Sequence, residues 1–163
     1  MSSNIYENTV PKLSYTDLYA IVRSVDLSET VAIQVFRKEF APGVETKIKF
    51  YPIGIWSKLY PKSLGHFSLV ANEIRIPIGD HMLTKLLHEA GHAADLNKEL
   101  WEGGDSPVAW GDRREEIIAE LAKLRSCKEA SMDPRCNPNW LDFVLDNVAT
   151  NREATREFLL ALL

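Results

Sequence analysis

Two histidines four residues apart, with a glutamate directly after the first, sit in the apolar stretch Leu86-Leu87-His88-Glu89-Ala90-Gly91-His92-Ala93-Ala94-Asp95. In an α-helix, side chains four positions apart lie nearly above one another, so His88 and His92 can aim ring nitrogens at one tetrahedral ion. Glu89 lies round the helix from them, close enough to take a proton from water at a metal but poorly placed to bind the same ion. Leu83, Leu86, Leu87, Ala90, Ala94 and Leu96 recur at helical spacing, and Asp80 after Gly79 is the expected N-cap. The pattern predicts a helix buried along one side with its histidines at the margin.

A catalytic zinc site takes three protein ligands and keeps one position open for water. The third is not a histidine downstream, because none follows His92; Lys98 stands where an extended three-histidine motif would place it. Asp95 falls seven residues after His88 on the same face. Three ligands on one straight helix would spread over about 10 Å of axis, too far for bonds of about 2 Å to one ion. Asp95 therefore reads as a residue supporting the ligands or as an acid paired at the helix end. The better source is a second amphipathic helix, Gly111 to Leu124, with Ile117, Ile118, Leu121 and Leu124 facing inward. It offers Glu115, Glu116 and Glu120. Helix phase favours Glu116 as ligand over Glu115, and Glu120, one turn on, can hold a ligand histidine by its other ring nitrogen. Without a metal the same glutamates would be a solvated face supported by Arg113 and Lys123.

The pair His88-Glu89-Ala90-Gly91-His92 and Glu115-Glu116-Ile117-Ile118-Ala119-Glu120 resembles the gluzincin-type metallopeptidases, especially the small ImmA/IrrE-like group and the zincin domain of ArdC-type antirestriction proteins. The likeness covers residues 67 to 125. It implies that His88, His92 and Glu116 bind zinc, that Glu89 is the general base, and that the strand before the first helix borders the cleft and pairs with an extended peptide. Gluzincins commonly add a downstream Tyr or His that stabilises the tetrahedral intermediate. This chain has no Tyr after Tyr60, which leaves Arg113, Arg114, His66 and Tyr60 as candidates for that role.

The remaining sequence predicts an α+β, zincin-like fold: a small mixed β-sheet packed on the motif helix and the following glutamate-bearing helix, with C-terminal helices. Ser14 to Arg23 has helical spacing. Val31–Phe36 and Thr46–Phe50 read as strands about a turn at Ala41-Pro42-Gly43. Phe67 to Ile76 is a further strand in which Asn72 marks a turn, with one wet side and an edge protected by Glu73 and Arg75. Asn139–Leu145 and Asn151–Leu163 read as helices, and the apolar end of the last is expected to dock on the core, with a homodimer or partner contact as the alternative. The loop from Leu100 to Trp110 is broken by Gly103-Gly104 and Pro107, and Trp101 and Trp110 are expected to pin it.

At 163 residues and 45% hydrophobic, residues 1–163 are expected to form one domain. There is no apolar run of membrane-spanning length, and the polar start Met1-Ser2-Ser3-Asn4 has no signal-peptide core, which sets the expectation of a cytoplasmic protein. Cys127 and Cys136 lack a metal-binding spacing and are expected to be free thiols. Lys and Arg number 19 against 23 Asp and Glu, a net charge of −4, without a dense basic stretch. That disfavours direct nucleic-acid binding and leaves a protein or peptide as the expected substrate. The expected activity is zinc-dependent hydrolysis of a peptide bond. The alternative is a non-catalytic or regulatory protein-binding module on the same scaffold, of the kind phage or mobile elements encode.

Overall fold

A computed structural model describes residues 13–98, 114–128, 140–148 and 152–161. Ser14 opens the first helix, α1 (Tyr15–Asp26), where its hydroxyl oxygen accepts a hydrogen bond from the Asp17 N–H at 3.3 Å. This satisfies one of the donors that a helix start leaves bare. Leu18, Val22 and Val25 recur three and four apart and form its buried stripe.

Strands β1 (Gln34–Ala41) and β2 (Val44–Tyr51) make an antiparallel hairpin about Pro42-Gly43, where Gly43 has φ +75°, a conformation that costs glycine nothing. The strand expected at 31–36 begins only at Gln34, which pairs with Phe50. β2 ends at Tyr51, one residue past the partner of Gln34, and Pro52 after it cannot donate to a ladder. After it comes a short helix that periodicity did not suggest, α2 (Ile53–Leu59), anchored by buried Trp56, whose ring N–H donates to the Ser63 carbonyl at 2.9 Å.

Strands β3 (His66–Ser68) and β4 (Glu73–Pro77) are the two halves of the expected 67–76 strand, divided at Asn72 with φ +50°. The Asn72 side chain donates to the Glu45 carbonyl at 2.8 Å and meets the Thr46 hydroxyl at 3.0 Å, fastening the turn to β2. The sheet order is β1-β2-β4-β3, with β4 parallel to β2 and antiparallel to β3. This corrects one expectation: Glu73 and Arg75 lie on an inner strand and do not guard an edge. Glu73 is buried and paired with Lys49 at 2.9 Å and Arg75 at 3.0 Å, while Lys49 and Arg75 themselves are half-buried at the sheet surface. The edge belongs to β3.

Alternation sends Ile48 and Phe50 of β2 and Ile74 and Ile76 of β4 to one face of the sheet. On that face packs α3 (Met82–Lys98), which carries the His-Glu-x-x-His pattern and buries Leu83, Leu86, Leu87, Ala90 and Ala94. The helix begins at Met82, past the expected Asp80 cap, because His81 turns the chain with φ +63° before its carbonyl accepts from the Lys85 N–H at 3.0 Å. α1 and α4 (Arg114–Cys127) flank α3, with Ile117, Ile118 and Leu121 of α4 fully buried. α5 (Trp140–Val148) packs on α4 and α6 (Arg152–Ala161) on α5. α6 buries Thr155 and Leu159 and lays Phe158 on the core, so this part of the apolar C-terminal stretch is docked; Leu162 and Leu163 lie outside the described residues.

The fold is α+β. Among the described residues no helix is long and apolar enough to cross a membrane. Cys127 is disulfide-bonded, which corrects the free-thiol expectation. The sequence holds one other cysteine, Cys136, outside the described residues.

Candidate metal centre

Two helices cross at a glycine to make this site. A Cβ at Gly91 would fall 2.8 Å from the Ala119 carbonyl oxygen and 2.9 Å from its Cα, so only glycine lets α3 and α4 touch backbone to backbone. One residue beyond Gly91 is His92, three before it is His88, and three before Ala119 is Glu116. The close crossing is what carries a carboxylate from α4 to both imidazoles of α3.

Glu116 reaches both. Its Oε2 is 2.7 Å from His88 Nε2 and its Oε1 is 3.2 Å from His92 Nε2. One ligand atom each from His88, His92 and Glu116 fit within 4.8 Å of one another. The donors are borderline nitrogens and one oxygen, a set suited to a divalent transition metal in four-coordinate geometry. The other nitrogen of His88, Nδ1, lies 2.8 Å from Glu120 Oε2. That contact fixes the ring's orientation and leaves Nε2 for the ion. Glu115, by contrast, is exposed at the cleft rim. Asp95 is half-buried farther along α3 and is not part of the converging set.

Behind Glu120 stands Lys123, which the sequence places on a solvated face only where no metal is bound. Lys123 Nζ is 2.5 Å from Glu120 Oε1, and both residues are 0% exposed. Glu116, Glu120 and Lys123 follow one another at four and three residues, so a single helical stripe carries the ligand, its brace and the counter-charge. That spacing was a usable signal. A lysine on an otherwise mixed helix defaults to solvent, which is why it was missed.

Electrostatics follow from this packing. Burial disfavours charge on His88, but hydrogen bonds to Glu116 and Glu120 outweigh it and hold the imidazolium up to about 10 in the metal-free chain. A proton on Nε2 then bridges to Glu116, whose carboxyl is held well below its usual range: burial works against this, and the two histidines overcome it. Burial raises Glu120 as well, yet the Lys123 ammonium and His88 leave it lowered overall. Glu89 is different. Burial pushes its carboxyl up and the two neighbouring histidines do not cancel that push, so it binds a proton more readily than an exposed glutamate.

The centre opens into a cleft of about 500 Å³. His88, Glu89 and His92 form its floor, while His66 and Phe67 of β3 and Phe143 and Val144 of α5 contribute walls. The sheet edge thus borders the site, as the sequence resemblance implied. Two candidates for the stabilising partner are committed elsewhere. Tyr60 packs edge-on to His66 at 4.7 Å and against Trp56 at 4.7 Å, and does not line the cleft. His66 does line it, but Nδ1 meets the Ser63 hydroxyl at 3.0 Å and Nε2 faces Arg75 Nη1 at 3.4 Å. Arg113, the side chain of Arg114, and the loop carrying Trp101 and Trp110 lie outside the described residues. No family model, curated protein or solved structure matches the chain.

Proposed function

We propose that this protein is a zinc-dependent metallopeptidase with a zincin-like catalytic domain, cutting a peptide bond in a protein or peptide substrate. The observation that carries the reading is the convergence of His88, His92 and Glu116 within 4.8 Å beside a buried glutamate that binds none of the same point. Unlike Glu120, which braces His88 and pairs with Lys123, Glu89 is buried at the cleft floor, where a carboxylate can exchange a proton with bound water. His88, His92 and Glu116 would hold the ion. Zinc, when bound, supplies acidified water and polarises a carbonyl.

The chain's own groups do the rest. Glu89 accepts a proton on its carboxylate from the attacking water and returns it to the nitrogen of the departing amine. Its burial suits both halves of the task, because a carboxylate with raised proton affinity is a better base and still releases the proton to an amine. Glu120 and Lys123 keep the His88 ring from rotating. The cleft walls of β3 and α5 shield the reacting bond from bulk water.

A second reading has one observation in its favour. Tyr60 and His66 are engaged in their own contacts, which leaves the tetrahedral intermediate without an evident donor from either and favours a scaffold that holds a partner without cutting it. Elemental analysis of protein purified without added zinc separates the cases. The expected result is near-stoichiometric zinc in the wild type that falls in His92→Ala and Glu116→Ala. Glu89→Gln should then keep the metal and lose cleavage by about a hundredfold or more. Wild-type cleavage by Glu89→Gln would rule out this base, and zinc with an intact partner after incubation would favour the scaffold.

A further inference from the structure

One charged side chain on the cleft wall has no part in the metal centre. Lys85 lies on α3 three residues before His88 and four before Glu89, the spacings that share a helix face. It lines the cleft beside Gly65 and His66. Its stem is held where β3 comes closest to α3: a Cβ at Gly65, which has φ +148°, would be 3.8 Å from the Lys85 Cβ and 3.3 Å from the Ile76 Cδ1. Among the described residues the Lys85 ammonium makes no hydrogen bond and no ion pair; Asp80 acts on it only through space. Burial lowers its hold on its proton, the mark of a cation partly stripped of water. Every other charged group described on the cleft wall is a carboxylate or belongs to the centre, and the exposed one, Glu115, is on α4.

We propose that Lys85 is a substrate-reading residue: it pairs with an acidic side chain, Asp or Glu, of a peptide lying in the cleft next to the bond to be cut. This rests on the hydrolytic reading above. Lys85 on α3 and the exposed carboxylate of Glu115 on α4 line the same cleft, so an acidic side chain is favoured beside Lys85 and repelled beside Glu115. Phe67, Leu69 and Phe143 leave the neighbouring space apolar. The favoured substrate is therefore an extended segment in which an acidic residue flanks the scissile bond and apolar residues surround it.

The zinc-loaded full chain, incubated with a mixture of peptides from a digested proteome, reads this directly when the new termini are sequenced by mass spectrometry. The expected result is enrichment of Asp and Glu at one position flanking the cut. In Lys85→Met that enrichment should fall about tenfold, and in Lys85→Glu the same position should turn to Lys and Arg. Cleavage by the wild type without acidic preference overturns the role of Lys85 and leaves hydrolysis standing. Equal loss of cleavage on every peptide in Lys85→Met, with zinc content and fold intact, also overturns it and assigns the ammonium to the reacting carbonyl. A wild type that binds zinc and cuts nothing overturns both readings.

Discussion

Two regions of this protein crowd a histidine, a glutamate and a cation together, and only one of them brings lone pairs to a common point. Beside β4, Glu73 spends one oxygen on Lys49 and the other on Arg75, and His66 spends its nitrogens on Ser63 and Arg75. Each acceptor there has its own donor. Between α3 and α4 the carboxylates Glu89, Glu116 and Glu120 stand against the ammonium of Lys123, and a proton on His88 meets part of the excess in the metal-free chain. The first arrangement is neutralised by side chains and needs nothing more. The second is short of positive charge at the point where His88, His92 and Glu116 meet, and that group could hold a cation. Polar burial alone does not mark a site; an unbalanced and convergent set of acceptors does.

The contrast can be broken at its strongest point first. Lys123→Met leaves buried Glu120 with His88 as its one remaining described cationic partner, and the expected loss is about 3 kcal/mol in denaturant unfolding. Adding Glu120→Gln to that variant should restore part of it, since a neutral amide needs no ammonium. A loss below about 1 kcal/mol would mean that the pair is solvated.

Gly91→Ala comes next. A methyl group cannot fit against the α4 backbone, so the helices must separate, at about 2 kcal/mol together with loss of bound metal. Metal retained at full stoichiometry would show that the crossing does not set the ligand spacing.

A third test uses acidity. His88, held up to about 10 against an ordinary 6.5, stabilises the metal-free chain fully below about pH 6.5, and this contribution is lost as pH rises toward 10. Glu116, held below its ordinary 4.5, contributes above that value and is lost as pH falls. Metal-free protein should accordingly melt highest between about pH 4.5 and 6.5, and zinc added at neutral pH should release a proton into an indicator dye. Melting temperatures of the metal-free chain that climb from about pH 6.5 upward would contradict the His88 bridge.

The smallest effect belongs to the other region. Lys49→Met removes one of two cations from Glu73 near solvent, and the expected cost is about 0.5 kcal/mol with zinc content unchanged. A cost matching that of Lys123→Met would erase the distinction between the two clusters.

Much of the centre could be read from residue spacing because it is written on two helices. His88 and His92 at four residues, Glu116 and Glu120 at four, and the apolar stripes beneath them specify faces without knowledge of the fold. What spacing does not carry is partnership between distant segments. α2 escaped notice since Pro52 and Gly54 argue against a helix and its anchor, Trp56, is held by Ser63 and the rings of Tyr51 and Tyr60. Glu73 and Arg75 looked like edge guards because alternation reports which face a side chain takes, never whether another strand lies alongside. Spacing is silent on Lys85 and Lys123 for the same reason: whether a helical lysine meets water depends on what the rest of the chain lays over it.

The order of the strands has a consequence for how such a protein can change. β2 and β4 are neighbours in the sheet, yet the chain between them makes an excursion through α2 and β3 before returning. That excursion supplies a wall of the cleft, while α3 and α4 supply the polar floor. The excursion thus shapes one wall of the cleft, from Leu64 to Leu69, while Lys85 stays on the helix that carries His88 and His92. Lengthening, shortening or exchanging the segment from Tyr60 to Leu69 would reshape that wall without moving His88, His92 or Glu116.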